Sequence, residues 1–164
     1  MRDDNDEIVI RDTVRPSDRD AIRVIVSSTT FFNAEEIDVA IELIEERLDR
    51  GEVSGYHFLF ADTHDRTVGY SCYGPIAGTT ASFDLYWIAV HNDYRGQGVG
   101  KMLLDASEEA IRRTGGQRIY AETSSRAQYL PTRGFYQACG YELEAVLQDF
   151  YAPGDSKCIF VKTV

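Results

Sequence analysis

A chain of 164 residues, 43% hydrophobic and 12% aromatic, is long enough to bury one ordinary core and too apolar to be disordered. Its net charge of −10 argues against a generic binder of nucleic acid or of anionic membranes, because both need a basic face. An acidic start (Met1-Arg-Asp-Asp-Asn-Asp-Glu7), no long apolar run and three scattered cysteines (Cys72, Cys139, Cys158) fit a cytoplasmic protein without signal peptide, membrane span, disulfide framework or bound metal.

No linker, repeat or low-complexity tract divides the sequence, so residues 1–164 read as a single domain. Ile8–Val14 is expected as an opening strand. Arg15-Pro16 breaks it, and Ser17 is placed to cap a helix whose Ile22, Ile25 and Val26 share a face. Asn33-Ala-Glu-Glu36 has the spacing of a capping box. Behind it Ile37, Ile41, Ile44 and Leu48 recur at helical period, and Gly51 supplies the stop. Phe31-Phe32 falls in the intervening loop.

Tyr56–Ala61, Thr67–Tyr73 and Ser82–Val90 are rich in β-branched and aromatic residues. The turn signals between them suggest an antiparallel meander. Val99, Met102, Leu103, Ala106 and Ala110 return to helical period and end at Gly115-Gly116. A strand over Arg118–Thr123, a short helix over Leu130–Cys139 and a strand over Tyr141–Leu147 follow, with Phe150-Tyr151 beyond it in a loop. Pro153-Gly154-Asp155 turns the chain into a last strand, Cys158–Lys162. The order β-α-α-β-β-β-α-β-α-β-β describes a mixed α/β sandwich.

The most informative stretch is Asp84-Leu-Tyr-Trp-Ile-Ala-Val90, a short loop, then Arg95-Gly-Gln-Gly98-Val-Gly100-Lys101 opening a helix. Glycines let amides approach an anion without a Cβ in the way, and a helix N-terminus carries about half a positive charge. Arg95 and Lys101 add side-chain charge. A Walker A loop would need Gly at 95 and Ser or Thr at 102, where Arg95 and Met102 stand. A dinucleotide fingerprint would need a third glycine where Leu103 stands, and it would open on βαβ, although Glu122 lies near the distance of a ribose-binding acid. Arg-x-x-Gly-x-Gly entering a helix after an apolar strand fits at every position.

With that loop, the strand ending Ile88-Ala89-Val90 and the helix signature Phe135-Tyr136-x-x-x-Gly140-Tyr141, the sequence resembles the GNAT superfamily of acyl-CoA-dependent N-acetyltransferases. The resemblance is close from Asp84 to Tyr141. It implies an α/β (α+β) fold with a mixed, mostly antiparallel central sheet of about seven strands and four helices on both faces. The function it implies is transfer of an acetyl group from acetyl-CoA to a primary amine, on a small molecule, peptide or protein.

By this resemblance the amides of Arg95, Gly96, Gln97, Gly98, Val99, Gly100 and Lys101 hold the coenzyme pyrophosphate. Ile88, Ala89 and Val90 pair with the pantetheine arm, and the Val90 N–H meets the developing oxyanion. Tyr136 matches the tyrosine that protonates the departing thiolate; the alternative is that it merely packs. Asp84 stands where some members place a glutamate base, and strand alternation would set it on one face with Tyr86, Ile88 and Val90, opposite Trp87. Glu122 is the reserve base. The asparagine that often bonds the pantetheine arm is missing, and its place falls on Tyr129, Ser124 or Ser125. Phe31-Phe32 and Phe150-Tyr151 line the acceptor site or else edge the core. Dimerisation is frequent in the superfamily, which leaves a homodimer open.

Two other functions compete: a non-catalytic acyl-CoA-binding domain and a nucleotide-dependent oxidoreductase built on Gly96 to Gly100 with Glu122. The charge is also split along the chain. Residues 1–50 hold 14 acids and 7 bases, whereas residues 91–133 hold 5 acids and 7 bases. The glycine loop is therefore locally basic within an acidic protein. If the first 50 residues border the acceptor site, their field favours a cationic amine.

Overall fold

The computed structural model describes residues 7–164. Its elements are β1 (Val9–Arg11), α1 (Asp18–Ser28), α2 (Ala34–Arg50), β2 (His57–Asp62), β3 (Thr67–Pro75), β4 (Ser82–Val90), α3 (Val99–Arg113), β5 (Arg118–Ser124), α4 (Leu130–Ala138), β6 (Glu142–Ala152) and β7 (Asp155–Thr163). The strands form one seven-stranded sheet in the order β1-β2-β3-β4-β5-β7-β6. Its β1–β2, β2–β3, β5–β7 and β6–β7 pairings are antiparallel, while β4–β5 is parallel. This is the element order expected from the sequence. The chain divides into two compact units, one made of the chain up to Gly74 with Trp87–Glu109, the other of Pro75–Tyr86 with Ala110–Val164.

In the first unit the core joins Ile22, Ile25 and Val26 of α1 and Ala40, Ile41 and Ile44 of α2 to Phe58, Phe60, Tyr70, Cys72 and Ala89 of the strands. Fully burying side chains of this size contributes roughly 1.5–3 kcal/mol each. The capping box of α2 forms in both directions: the Glu36 amide donates to Asn33 Oδ1 at 2.9 Å and the Asn33 amide to Glu36 Oε2 at 2.8 Å. Gly51 closes α2 at φ 65°, a left-handed conformation that glycine adopts at little cost. Leu48, in the last turn, is exposed.

Ser17 does not cap α1 through its side chain. It already has helical angles, and in the turn before the helix the Asp18 carboxylate accepts from the Arg15 amide at 2.6 Å. The buried Asp18 also pairs with Arg11 at 2.8 Å, and Arg11 pairs with Asp62 at 2.6 Å. Burial opposes the Arg11 charge, but its bonds to the two carboxylates outweigh it and hold the guanidinium firmly protonated. Removing one member of such a network leaves a buried charge uncompensated, at a cost of about 3–5 kcal/mol.

In the second unit, Ile111, Ile119, Ala121, Tyr136, Tyr141, Cys158 and Phe160 are buried. Gly116 sits where a Cβ would come within 2.3 Å of Ile111 and 2.9 Å of the Phe83 ring, so the turn after α3 tolerates no side chain. The strand expected to end at Leu147 runs on to Ala152, which places Phe150 and Tyr151 in β6 and not in a loop. Register shifts between Leu143 and Ala145 and between Leu147 and Ala152, with Asp149 at φ 53°, break the alternation that would mark a strand in the sequence.

Candidate active site

In the first unit, β4 ends at Val90 and a 3-10 turn over Asn92–Tyr94 leads into the glycines. Gly96 (φ 72°) and Gly98 (φ 83°) adopt left-handed angles, and nothing lies within 4 Å of where their Cβ atoms would be. The Met102 amide donates to the Gly98 carbonyl at 3.0 Å, so the amides of Val99, Gly100 and Lys101 precede that first helical bond of α3. Val99 is buried and anchors the turn. Gly69 of β3 lets the helix start come close, since a Cβ there would stand 3.1 Å from Leu103 and 3.4 Å from Val99. The result is an open, locally positive backbone concavity.

The side chains around it are more dispersed than the motif suggests. Arg95 lies with its guanidinium carbon 5.2 Å from the centre of the Phe31 ring. The Lys101 ammonium pairs with Asp105 one turn along at 2.5 Å, so its charge points down the helix. Gln97 donates to the Asp93 carbonyl at 3.2 Å and steadies the turn. Arg66, over the Tyr94 ring at 5.0 Å, is a basic residue beside the turn that motif reading had no reason to select. Phe32 packs edge-on against Trp87 at 4.9 Å.

The β4–β5 ladder runs from Ser82↔Arg118 to Leu85↔Ala121, whereas β4 itself continues through Ile88, Ala89 and Val90. The Ile76 amide bonds the Ser82 carbonyl, and the His91 amide bonds that of Val68. Phe83 lies beside Ile111 of α3, while Trp87 packs on the core that includes α1 and α2.

In the second unit, Asp84 is opposite Tyr120, which puts Glu122 diagonally next to it on the same face of the sheet. Lys157 of β7, opposite Ser124, shares that face and binds Glu122 Oε2 at 2.8 Å. Burial raises the Asp84 pKa above its ordinary value; the Glu122 charge raises it further and Lys157 partly opposes both. Exposed Phe150 and Tyr151 border this group: the Lys157 ammonium stands 4.0 Å over the Phe150 ring, and burial together with Glu122 and Asp155 raises the Tyr151 pKa. Tyr151 is one of the aromatic candidates the sequence offers for the acceptor site, whereas Lys157 was missed by sequence reasoning. Pairing two carboxylates with the strand residues facing them was the available signal.

Tyr136 is 5% exposed, its ring 5.5 Å from Tyr141 and 5.8 Å from Phe160. Burial pushes its phenol well above the usual range, so it is held neutral. Ser125 is engaged: its amide donates to Ser156 O at 2.9 Å and its Oγ accepts from the Ser156 amide at 2.8 Å. Ser124 Oγ is bonded to Asp155 and accepts from the Arg126 amide at 3.1 Å. Tyr129 is half-buried under Arg126, whose guanidinium lies 5.5 Å from the ring centre.

The first unit thus holds a helix-entry turn of open glycines, and the second holds a buried tyrosine on α4 and a carboxylate on β4. Residues 54–143 match the family model of the acetyltransferase (GNAT) domain. The chain belongs to the GNAT acetyltransferase family. A GNAT-family protein from Desulfovibrio desulfuricans is 44% identical, with a TM-score of 0.94 over 96% of this chain and 99% of that one. An aminoglycoside 6'-N-acetyltransferase solved with coenzyme A shares the fold at TM-score 0.75 and 19% identity, over 94% and 96% of the two chains. The ribosomal-protein-S18-alanine N-acetyltransferase of Escherichia coli does so at TM-score 0.72 and 17% identity, over 96% and 94%. A search of curated proteins finds no match. The protein is thus a GNAT-family acetyltransferase, and its glycine turn lies inside the matched region. Among the described residues no helix is long and apolar enough to cross a membrane.

Proposed function

We propose that this GNAT enzyme moves an acetyl group from acetyl-CoA to a primary amine by direct attack, with both substrates bound together. The glycine turn opening α3 carries the reading. Left-handed Gly96 and Gly98, with open space at each Cβ position, suit close approach of a pyrophosphate to backbone amides. In this reading the amides of Arg95 to Lys101 hold the pyrophosphate. Ile88, Ala89 and Val90 pair with the pantetheine amides, and the Val90 N–H stabilises the oxyanion. Ser125 or Tyr129 replaces the usual asparagine.

The reaction balances without a further reagent. The amine nitrogen attacks the thioester carbonyl carbon, the tetrahedral adduct collapses with loss of the C–S bond, the thiolate takes a proton from Tyr136, and the second proton leaving the nitrogen returns through solvent to the Tyr136 phenolate. Asp84 accepts the ammonium proton, directly or through water. A neutral phenol is the form able to donate, and burial keeps Tyr136 in it. An aspartate with a raised pKa is a stronger base than one at the surface.

The acceptor class is a cationic amine with some apolar surface, supported by Asp84 and Glu122 on one face beside exposed Phe150 and Tyr151. Two fold relatives act by name on an aminoglycoside and on an alanine of a ribosomal protein, both acceptors that are amines. The same reading takes residues 1–164 as one catalytic domain. Free cysteines, two of them buried, fit a reducing cytoplasm. Exposed Leu143, Val146 and Leu147 on edge strand β6 support a homodimer. Mass spectrometry after incubation with acetyl-CoA tests the chemistry: acetylated product is expected only with an amine present, and a stoichiometric acetyl-enzyme in its absence overturns direct attack.

A further inference from the structure

Lys157 takes no part in the reaction as written, yet two contacts fix it beside the proton-accepting face. Its ammonium binds Glu122 Oε2 at 2.8 Å and stands 4.0 Å over the Phe150 ring, with the side chain only 15% exposed. Sheet register brings the groups together from three strands. Asp84 is opposite Tyr120, Glu122 follows two residues on, and Lys157 enters opposite Ser124. Two carboxylates on one face of the sheet repel each other, and a cation beside them offsets that repulsion.

We propose that Lys157 is a positioning residue for acetyl transfer: by pinning Glu122 on the face it shares with Asp84, it leaves the two carboxylates one net negative charge, enough to draw in an ammonium and take its proton. The proposal rests on Asp84 as the proton acceptor. Its direction of action is fixed by sign. Burial and the Glu122 charge push the Asp84 pKa up, and Lys157 pulls it down. Lys157 therefore keeps Asp84 ionised at lower pH than it otherwise would be. Other titratable or charged groups on this part of the sheet include Tyr120, bonded by Arg118; Tyr151, with Tyr129 and Cys158 near it; and Asp155, paired with Arg126. All are left intact by the variants below.

The first arm of the test needs no acceptor. Carbon-13 NMR follows the Asp84 carboxyl through a pH titration of the whole protein in four forms: wild type, Lys157→Met, Lys157→Arg and Glu122→Gln. Lys157→Met is expected to move the Asp84 titration up by about 0.5–1 unit, the scale of one partly screened charge at this range. Glu122→Gln, at a partly exposed site that does not threaten folding, moves it down by a similar amount. Lys157→Arg restores the wild-type curve. A merely structural Lys157 would change stability and leave the titration where it was. An Asp84 titration unmoved in both Lys157→Met and Glu122→Gln overturns the proposal and leaves the reading of Asp84 as base untouched. If the titrations shift but the acidic limb of kcat/KM with an acetylated amine does not follow, Asp84 is not the base and that reading falls.

Discussion

The glycine turn and the carboxylate face are built in opposite ways. The turn is contiguous, residues 95–101, made of backbone with open space at Gly96 and Gly98. The face is assembled from Asp84, Glu122 and Lys157 on three strands, and its properties come from side-chain charge and burial. The turn is thus tuned by local conformation and the face by its neighbours. Mutations at the first should act on coenzyme affinity, and mutations at the second on turnover and its pH dependence.

The largest expected effect is at Tyr136. Tyr136→Phe should lower kcat about 100-fold, the usual worth of a positioned acid, while calorimetry finds coenzyme A affinity within about twofold of wild type. Affinity and turnover falling together would erase the distinction between the two regions. Asp84→Asn should cost about 10- to 100-fold in kcat and at the same time stabilise the fold at pH 7. The sign follows from its raised pKa: the ionised carboxylate is disfavoured in the folded state at neutral pH. The gain therefore shrinks as pH falls through the folded pKa and vanishes below the ordinary value of 3.8. Thermal melts across that range check it.

The turn responds differently. Gly98→Val forces a β-branched residue to φ 83° and should raise KM for acetyl-CoA about tenfold with kcat little changed. Arg95→Ala should weaken acetyl-CoA about threefold at low salt and less at high salt, since this exposed charge is screened. The smallest effect is expected of Ser125→Ala, under about twofold in KM, because its Oγ already accepts from the Ser156 amide.

The same contrast explains what could be read from the sequence. Element order, the capping box at Asn33, the stop at Gly51 and the glycine turn all depend on neighbours a few residues apart, and all are found where periodicity and spacing put them. What escaped depends on strand register. Lys157 looks like an ordinary strand lysine until β7 is set against β5. Irregular register likewise hid the second half of β6, with Phe150 and Tyr151. Ser17 is no side-chain cap because its backbone already has helical angles.

Thiol release from acetyl-CoA, followed across a panel of primary amines with wild type and Tyr136→Phe side by side, tests the central claim most directly. At least one cationic amine should drive coenzyme A release, with a rate that falls tenfold or more in Tyr136→Phe, a difference of about 1.4 kcal/mol. Acetyl-CoA binding without amine-dependent release for any member of the panel, or release indifferent to Tyr136→Phe, would contradict it.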